Sequence, residues 1–177
     1  TNSVTLDFGS NAFTGTGVTF SNASGTLQSA GAVTLGSGTT VNGAFTYNAA
    51  SGSQTIADAT YSGTLTLSGA GTKTVGNVNL TGTYSAAEGT RTYNGTFTYG
   101  ASGAQTIAGE SYNILALSGS GTKSVAAAAT ATVGASMTSS VPVSVPVTAT
   151  LQLVNSATAT FSDNLTVDGT YSANATG

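Results

Sequence analysis

The stretch that decides the fold is duplicated: "GTLTLSGAGTKTV" at positions 63–75 returns as "ILALSGSGTKSV" at positions 114–125. The likeness extends upstream, so that residues 42–75 match residues 94–125, and a shorter echo links residues 79–86 to residues 164–173. The aligned landmarks are Phe45 with Phe97, Tyr47 with Tyr99, Gln54 with Gln105, Ile56 with Ile107, Tyr61 with Tyr112, Leu67 with Leu117 and Lys73 with Lys123. Self-similarity at a spacing of about 50 residues is typical of architectures built from stacked repeats.

Each copy alternates apolar and polar residues with a period of two. Phe45 and Tyr47 fall on one face of an extended chain and Thr46 falls on the other, which predicts half-buried strands. Clusters of Gly, Asn and Ser separate these strands as turns, and no stretch has the pattern of an amphipathic helix. We therefore predict a single all-β domain over residues 1–177, built as a β-solenoid. The alternative is an antiparallel β-sandwich subunit completed by a donated strand.

The composition excludes several classes of function. Only three residues are Lys or Arg and the formal net charge is −3, so the chain cannot form the broad positive surface that nucleic acids require. The longest small apolar stretch, residues 124–135, is shorter than the ~20 residues that cross a bilayer, and we expect no membrane insertion. There is no His or Cys, and the six acidic residues are scattered. We therefore expect no enzyme activity and no cofactor.

Calcium is the one metal for which the sequence offers candidate ligands. Asp163, Asn164 and Asp168 carry side-chain oxygens within a short segment, and Ca²⁺ takes such oxygens together with backbone carbonyls. The Gly-rich nonapeptide repeat of calcium-binding β-rolls is missing, however. Structural or solvated roles are thus the preferred interpretation for these residues.

Two of the three basic residues, Lys73 and Lys123, occupy equivalent places in the repeat. Each follows a Gly-rich turn where a strand begins, so we expect them to keep a sheet edge charged and to discourage indiscriminate pairing. The alternative is an intramolecular isopeptide bond to a nearby Asn or Asp. The pairs Asn42–Gly43 and Asn94–Gly95 are also equivalent, and we interpret them as tight turns with positive φ, against a deamidation or cross-linking role.

Two binding functions are compatible with the side chains on these strands. Repeated tyrosines, among them Tyr61, Tyr84, Tyr112 and Tyr171, could stack on sugar rings, although such residues more often cover a strand layer. Thr-x-Thr strings occur at 64–66, 96–98, 130–132 and 148–150. A regular Thr array on one face would favour ice binding, whereas scattered threonines would argue against it.

Strings such as "GTLTLSGAGTKTV", "FTYGASGAQTI" at 97–107 and "ATATFSDNLTVDGTYSA" at 157–173 resemble the Thr/Gly/Ser-rich β-solenoid repeats of large bacterial surface, fibre and adhesin-like proteins. The resemblance spans about residues 40–177. It implies an exported protein at the cell surface or outside the cell, where many such proteins form stalks, fibres or matrices.

We therefore expect a structural subunit of an extracellular filament or surface assembly that polymerises with copies of itself. The segment 164–177 repeats a pattern that inside the chain leads into another strand, so an N-terminal strand of a neighbouring copy could complete the sheet by β-augmentation. The residues expected at this contact are Val4, Leu6, Phe8, Leu165, Val167 and Tyr171. The alternative is an adhesin segment or a β-solenoid module that binds ice, carbohydrate or a cell surface.

Overall fold

The computed structural model describes residues 5–15, 19–20, 25–36 and 38–173. Parallel strands stack into a β-solenoid of about 8 turns, with 56% of the residues in strands. Every strand pair whose register is defined is parallel, for example β-strand residues Phe45 with Leu65 and Phe97 with Leu115. The predicted solenoid is thus confirmed, and the antiparallel sandwich is not. None of the described residues lies in a helix, so no helix there could cross a membrane.

The chain divides into two compact units, residues 1–92 and residues 93–177. The strands of the first unit are β1 (Thr5–Asp7), β2 (Phe13–Gly15), β3 (Thr19–Phe20), β4 (Thr26–Ser29), β5 (Val33–Leu35), β6 (Thr40–Val41), β7 (Ala44–Tyr47), β8 (Ser53–Ile56), β9 (Ala59–Tyr61), β10 (Thr64–Leu67), β11 (Thr72–Val75), β12 (Val78–Leu80) and β13 (Thr83–Ala86). Strand β14 (Arg91–Tyr93) crosses the division. The second unit contains β15 (Thr96–Tyr99), β16 (Gln105–Ile107), β17 (Ser111–Leu117), β18 (Lys123–Val125), β19 (Thr130–Ser139), β20 (Val143–Val145), β21 (Thr150–Leu153), β22 (Thr158–Phe161), β23 (Leu165–Val167) and β24 (Thr170–Ala173).

Strands from successive turns lie side by side in each unit. In the first unit the longest sheet has the order β1-β4-β7-β10-β13, and β2-β5, β8-β11 and β3-β6-β9-β12 line the other faces of the coil. In the second unit β15-β17-β19-β21-β24 form one sheet, with β22 also on β19, and β16-β18-β20-β23 form another. Leu65 pairs with Phe45, 20 residues earlier, which is the length of one turn at this place.

The core is a set of inward-facing columns in which each turn adds one residue. Phe45 and Leu65 pair and are fully buried, as are their repeat equivalents Phe97 and Leu115. These residues therefore hold the equivalent strand positions that the duplication predicts, because in each copy a Phe on one turn pairs with a Leu on the next. Fully buried apolar side chains of this size each contribute roughly 1.5–3 kcal/mol relative to exposure.

Glycines mark corners where the backbones of successive turns approach closely. A Cβ added at Gly63 would collide with the backbone carbonyl of Gly43, and one added at Gly82 would collide with the carbonyl of Gly63. Neither Gly43 nor Gly95 has a positive φ, so the turn expected at the two Asn-Gly pairs is wrong in its geometry. At Gly63 and Gly82 glycine is required by close stacking, not by backbone conformation.

Candidate functional site

The first described turn presents apolar side chains beside a free strand edge. Strand β1 pairs with β4 alone among the described strands, and Leu6 on β1 lies next to the buried Leu27 but is itself 53% exposed. Phe8 is half-buried and stacks on Phe13 at a centroid distance of 4.4 Å. The predicted contact residue Val4 lies outside the described residues. The end of this apolar column is therefore partly open to solvent.

The last described turn shows the same feature in the second unit. Val167 pairs with Val145 and Tyr171 pairs with Leu151, yet the two outer residues are 40% and 38% exposed, whereas their inner partners are fully buried. Leu165 is half-buried on the same strand as Val167. Among the described strands, β23 has the single neighbour β20 and β24 the single neighbour β21. Five of the six predicted contact residues thus fall on, or next to, strands with one unpaired edge.

The buried lysines contradict the expectation of a charged sheet edge. Lys73 and Lys123 point into the coil, with 1% and 0% of their surface exposed. The Lys123 Nζ donates to the backbone carbonyls of Ala101, Gly103 and Ser120 at 2.9, 2.7 and 3.0 Å. An ammonium group has three N–H donors, so three carbonyls satisfy it completely.

Lys73 makes the same arrangement in the first unit. Its Nζ donates to the carbonyls of Ala49, Gly71 and Gly69 at 2.9, 3.1 and 3.3 Å. Burial lowers the pKa of the Lys73 ammonium below its usual value, and the positive charge of Arg91 lowers it further. Burial likewise lowers the pKa of Lys123. Backbone carbonyls, rather than a carboxylate, hold both ammonium groups, so the geometry offers no support for an isopeptide bond.

A glutamine completes each lysine site. In register with Lys73 lies Gln54, whose side-chain oxygen accepts a bond from the Ala49 N–H at 3.1 Å, while Lys73 binds the carbonyl of the same Ala49. Gln105 and Lys123 hold Ala101 in the same way. The Gln and Lys landmarks of the repeat therefore bind the N–H and C=O groups of an inward-turned corner, in addition to the backbone N–H bonds that the Ala49 and Ala101 carbonyls accept from Gly71 and Ser120.

Two of the four tyrosines considered for sugar binding lie inside the protein. Tyr61 and Tyr112 are buried, and their hydroxyls bond those of Tyr47 and Tyr99 at 2.6 and 2.8 Å. Burial raises the pKa of Tyr47 and of Tyr99 to about 12. Of the four tyrosines proposed, Tyr84 is half-buried and Tyr171 is the one exposed. A row of stacking platforms therefore does not form from them.

The acidic residues do not converge. Asp163 accepts a bond from the adjacent Asn164 N–H at 2.7 Å, and both residues are exposed. Asp58 binds the N–H of Asn77 in the next turn at 2.8 Å. No group of three or more acidic, His or Cys side chains with metal-binding geometry occurs in the part of the chain that the structure describes.

Two rows of short polar residues run across the outer face of the sheet β1-β4-β7-β10-β13. Strand register aligns one row as Asp7, Gln28, Thr46, Thr66 and Ser85. The alternation of side chains places a second row beside it, consisting of Thr5, Thr26, Ala44, Thr64 and Thr83. The Thr64 and Thr83 hydroxyls lie 2.8 Å apart and are hydrogen-bonded. Sequence reasoning missed these rows, because most of their members come from different turns and not from Thr-x-Thr strings.

Comparison with known proteins finds no matching family model, no matching curated protein and no matching solved structure.

Proposed function

We propose that this protein is a structural subunit of an extracellular filament or cell-surface assembly, and that copies associate head to tail through their terminal turns. The observation that carries the proposal is the exposure of Leu6 on the first described turn and of Val167 and Tyr171 on the last. Each lies in a column whose next member is buried. A second copy stacked on such a turn would extend both the apolar column and the strand pairing.

The chemistry of the edge strands supports self-association. Strands β23 and β24 contain no charged residue, and charged side chains are a common device by which natural sheets block pairing at an edge. A contact that joins unlike ends does not close on itself as a two-fold dimer does, so it propagates as a filament. The low content of charged residues, 5%, weakens the repulsion between copies.

The proposed location is the bacterial cell surface or the extracellular space. It is supported by the Thr-rich repeat composition and by the solenoid fold, which offers long, uniform surfaces and needs no cofactor for a structural role. The proposed function is therefore mechanical and non-enzymatic, with other copies of the chain as its partners.

The test compares three variants by sedimentation velocity and negative-stain electron microscopy over a range of concentrations. Val167→Lys combined with Tyr171→Lys places charges in the proposed contact, and we expect association at least about tenfold weaker, since an unpaired charge is costly to bury. Leu6→Lys should have the same effect from the other end. The matched control is Val147→Lys, because Val147 is 77% exposed but lies between β20 and β21 and not on a terminal strand.

Two results would overturn this proposal. One is a wild-type chain that stays monomeric at every concentration, and the other is a loss of association in Val147→Lys as large as in the terminal variants. Circular dichroism of each variant establishes that the solenoid is still folded.

Binding to an ordered surface, ice above all, is a second candidate, favoured by the two polar rows on the five-stranded sheet. Neighbouring parallel strands lie about 4.8 Å apart and residues two apart on a strand lie roughly 6.6 Å apart, so the threonines and the serine of the two rows form a grid of hydroxyl groups that Asp7, Gln28 and Ala44 interrupt. Such a grid can hold a layer of ordered water. Aromatic side chains on this sheet, such as Phe45 and Tyr47, face inward, which favours ice over a polysaccharide surface that stacks on rings.

Ice-adsorption and recrystallisation assays test this second function. Thr66→Tyr disrupts the grid and should reduce adsorption to ice, whereas Thr106→Tyr should not, because Thr106 is exposed in a single row on another sheet. Equal behaviour of the two variants, or adsorption to microcrystalline cellulose or chitin in place of ice, would count against ice binding.

A further inference from the structure

The two Asn-Gly pairs of the repeat occupy equivalent corners but have different surroundings. Asn42 and Asn94 are both exposed, and each precedes a glycine just before a strand that begins with the aromatic core residues. They are the two Asn-Gly pairs in the whole sequence. Glycine lacks a side chain, so its backbone nitrogen is the least hindered of any residue's toward the preceding asparagine.

The residue that contacts each corner from the next turn differs between the two copies. In the second unit the Asn113 side-chain amide donates to the backbone carbonyl of Asn94 at 3.1 Å. In the first unit the equivalent residue is Ser62, whose hydroxyl donates to the side-chain oxygen of Asn42 at 2.8 Å. The hydrogen bond at Asn94 therefore polarises the peptide group, whereas the hydrogen bond at Asn42 restrains the side chain.

We propose that Asn94 is a site of spontaneous modification, at which the chain deamidates through a succinimide, and that Asn113 promotes this reaction. The nitrogen of Gly95 attacks the side-chain carbonyl carbon Cγ of Asn94 and forms the N–Cγ bond. The Cγ–Nδ2 bond breaks, and ammonia leaves with the proton that the Gly95 nitrogen has lost. Water then opens the ring at either carbonyl and leaves aspartate or isoaspartate, with no oxidation or reduction.

The hydrogen bond from Asn113 acts on the nucleophile. The attacking species is the deprotonated Gly95 amide, whose negative charge is shared with the carbonyl oxygen of Asn94. A donor already aimed at that oxygen stabilises the charge as it develops. Asn113 is thus a positioning residue, since it acts on the peptide group and not on the bond that breaks.

At the Asn42 corner, the hydrogen bond from Ser62 holds the Asn42 side chain in a conformation that does not favour succinimide formation. To reach the Gly43 nitrogen, the Asn42 side chain must give up its bond to Ser62, which raises the barrier to the reaction. Asn94 has no such restraint among the described contacts of its side chain. The difference predicts a severalfold faster reaction at Asn94.

The modification would change the corner before β15 in two ways. Aspartate or isoaspartate adds one negative charge to a chain whose net charge is −3. Isoaspartate also lengthens the backbone by one carbon where the turns are held in register. Both effects act next to Phe97 and Tyr99 in the core of the second unit.

The experiment follows deamidation of the intact folded chain at pH 8.5 and 37 °C by chymotryptic peptide mapping and mass spectrometry, with isoaspartate identified by fragmentation. We expect Asn94 to react severalfold faster than Asn42. Asn113→Ser should slow Asn94 severalfold, and Ser62→Ala should accelerate Asn42. In urea the two sites should react at similar rates, because the contacts from the next turn are then lost.

Equal rates at the two sites in the folded chain, or a faster reaction at Asn42, would overturn the proposal. A preference for Asn94 that persists in urea would show that local sequence, and not Asn113, controls the reaction. Retention of the wild-type Asn94 rate in Asn113→Ser, with the circular dichroism spectrum unchanged, would refute the role of Asn113.

Discussion

Replacement of Lys123 by methionine should destabilise the second unit, although it removes a charge from the interior. Methionine keeps the unbranched stem of the side chain and removes the ammonium group. The carbonyls of Gly103 and Ser120 then lose their donor, and the carbonyl of Ala101 keeps only the bond from the Ser120 N–H. All three are backbone groups, so the substitution cannot remove the acceptors together with the donor.

The magnitude follows from two opposing contributions. Three hydrogen bonds to a charged group contribute about 1.5–3 kcal/mol each, or roughly 4–9 kcal/mol before the cost of burying the ammonium is subtracted. That cost is real, since burial lowers the pKa of Lys123. Leaving a buried carbonyl without its donor costs about 1–3 kcal/mol. Because water can reach partly buried carbonyls, we expect a loss of about 2–4 kcal/mol.

Urea unfolding followed by circular dichroism measures this loss, and Ser124→Ala is the matched control. Ser124 is the next residue on the same strand and points outward, so its replacement should change the free energy of unfolding by less than about 0.5 kcal/mol. Lys73→Met should reproduce the effect in the first unit. A Lys123→Met protein as stable as the wild type would refute the reasoning, because the carbonyls would then need no donor.

Two other predictions concern the corners and the buried tyrosines. Gly63→Ala should destabilise the first unit by about 1–3 kcal/mol, because the added Cβ would collide with the Gly43 carbonyl. Gly103→Ala should be nearly neutral, because the added Cβ there meets open space. Equal unfolding midpoints for the two variants would contradict the close stacking at Gly63. Stability should fall as the pH rises from 10 to 12, because unfolded tyrosine releases its proton near pH 10, whereas Tyr47 and Tyr99 in the folded chain retain theirs to about 12. Each contributes about 2.3 kcal/mol to this loss by pH 12, while the two lysines, whose pKa is lowered, act in the opposite direction below pH 10.5. Urea unfolding at several alkaline pH values measures how steeply the free energy of unfolding falls with pH. A Tyr47→Phe chain should show a smaller fall. A free energy of unfolding that is constant or rises above pH 10.5 would contradict the burial of these hydroxyls.

The repeat was readable from the sequence because the duplicated residues are the ones that make equivalent contacts. Phe45 and Phe97, or Gln54 and Gln105, stand at equivalent places in their own units and make equivalent contacts. The role of Lys73 and Lys123 in binding backbone carbonyls could not be predicted from the sequence in this way. A charged residue at the start of a strand is most often exposed, and its inward direction depends on carbonyls contributed by residues about 20 positions away.

The sequence by itself determined the all-β class, the strand alternation and the stacking of equivalent residues, because these depend on local periodicity and on an internal comparison. The tertiary structure alone decided which residues become neighbours across turns. The outer rows that run from Asp7 to Ser85, the carbonyl sites of Lys73 and Lys123, and the different contacts of Asn42 and Asn94 all join residues about one turn apart. The length of each turn varies by a few residues, and a shift of one residue would send every side chain of a strand to the opposite face.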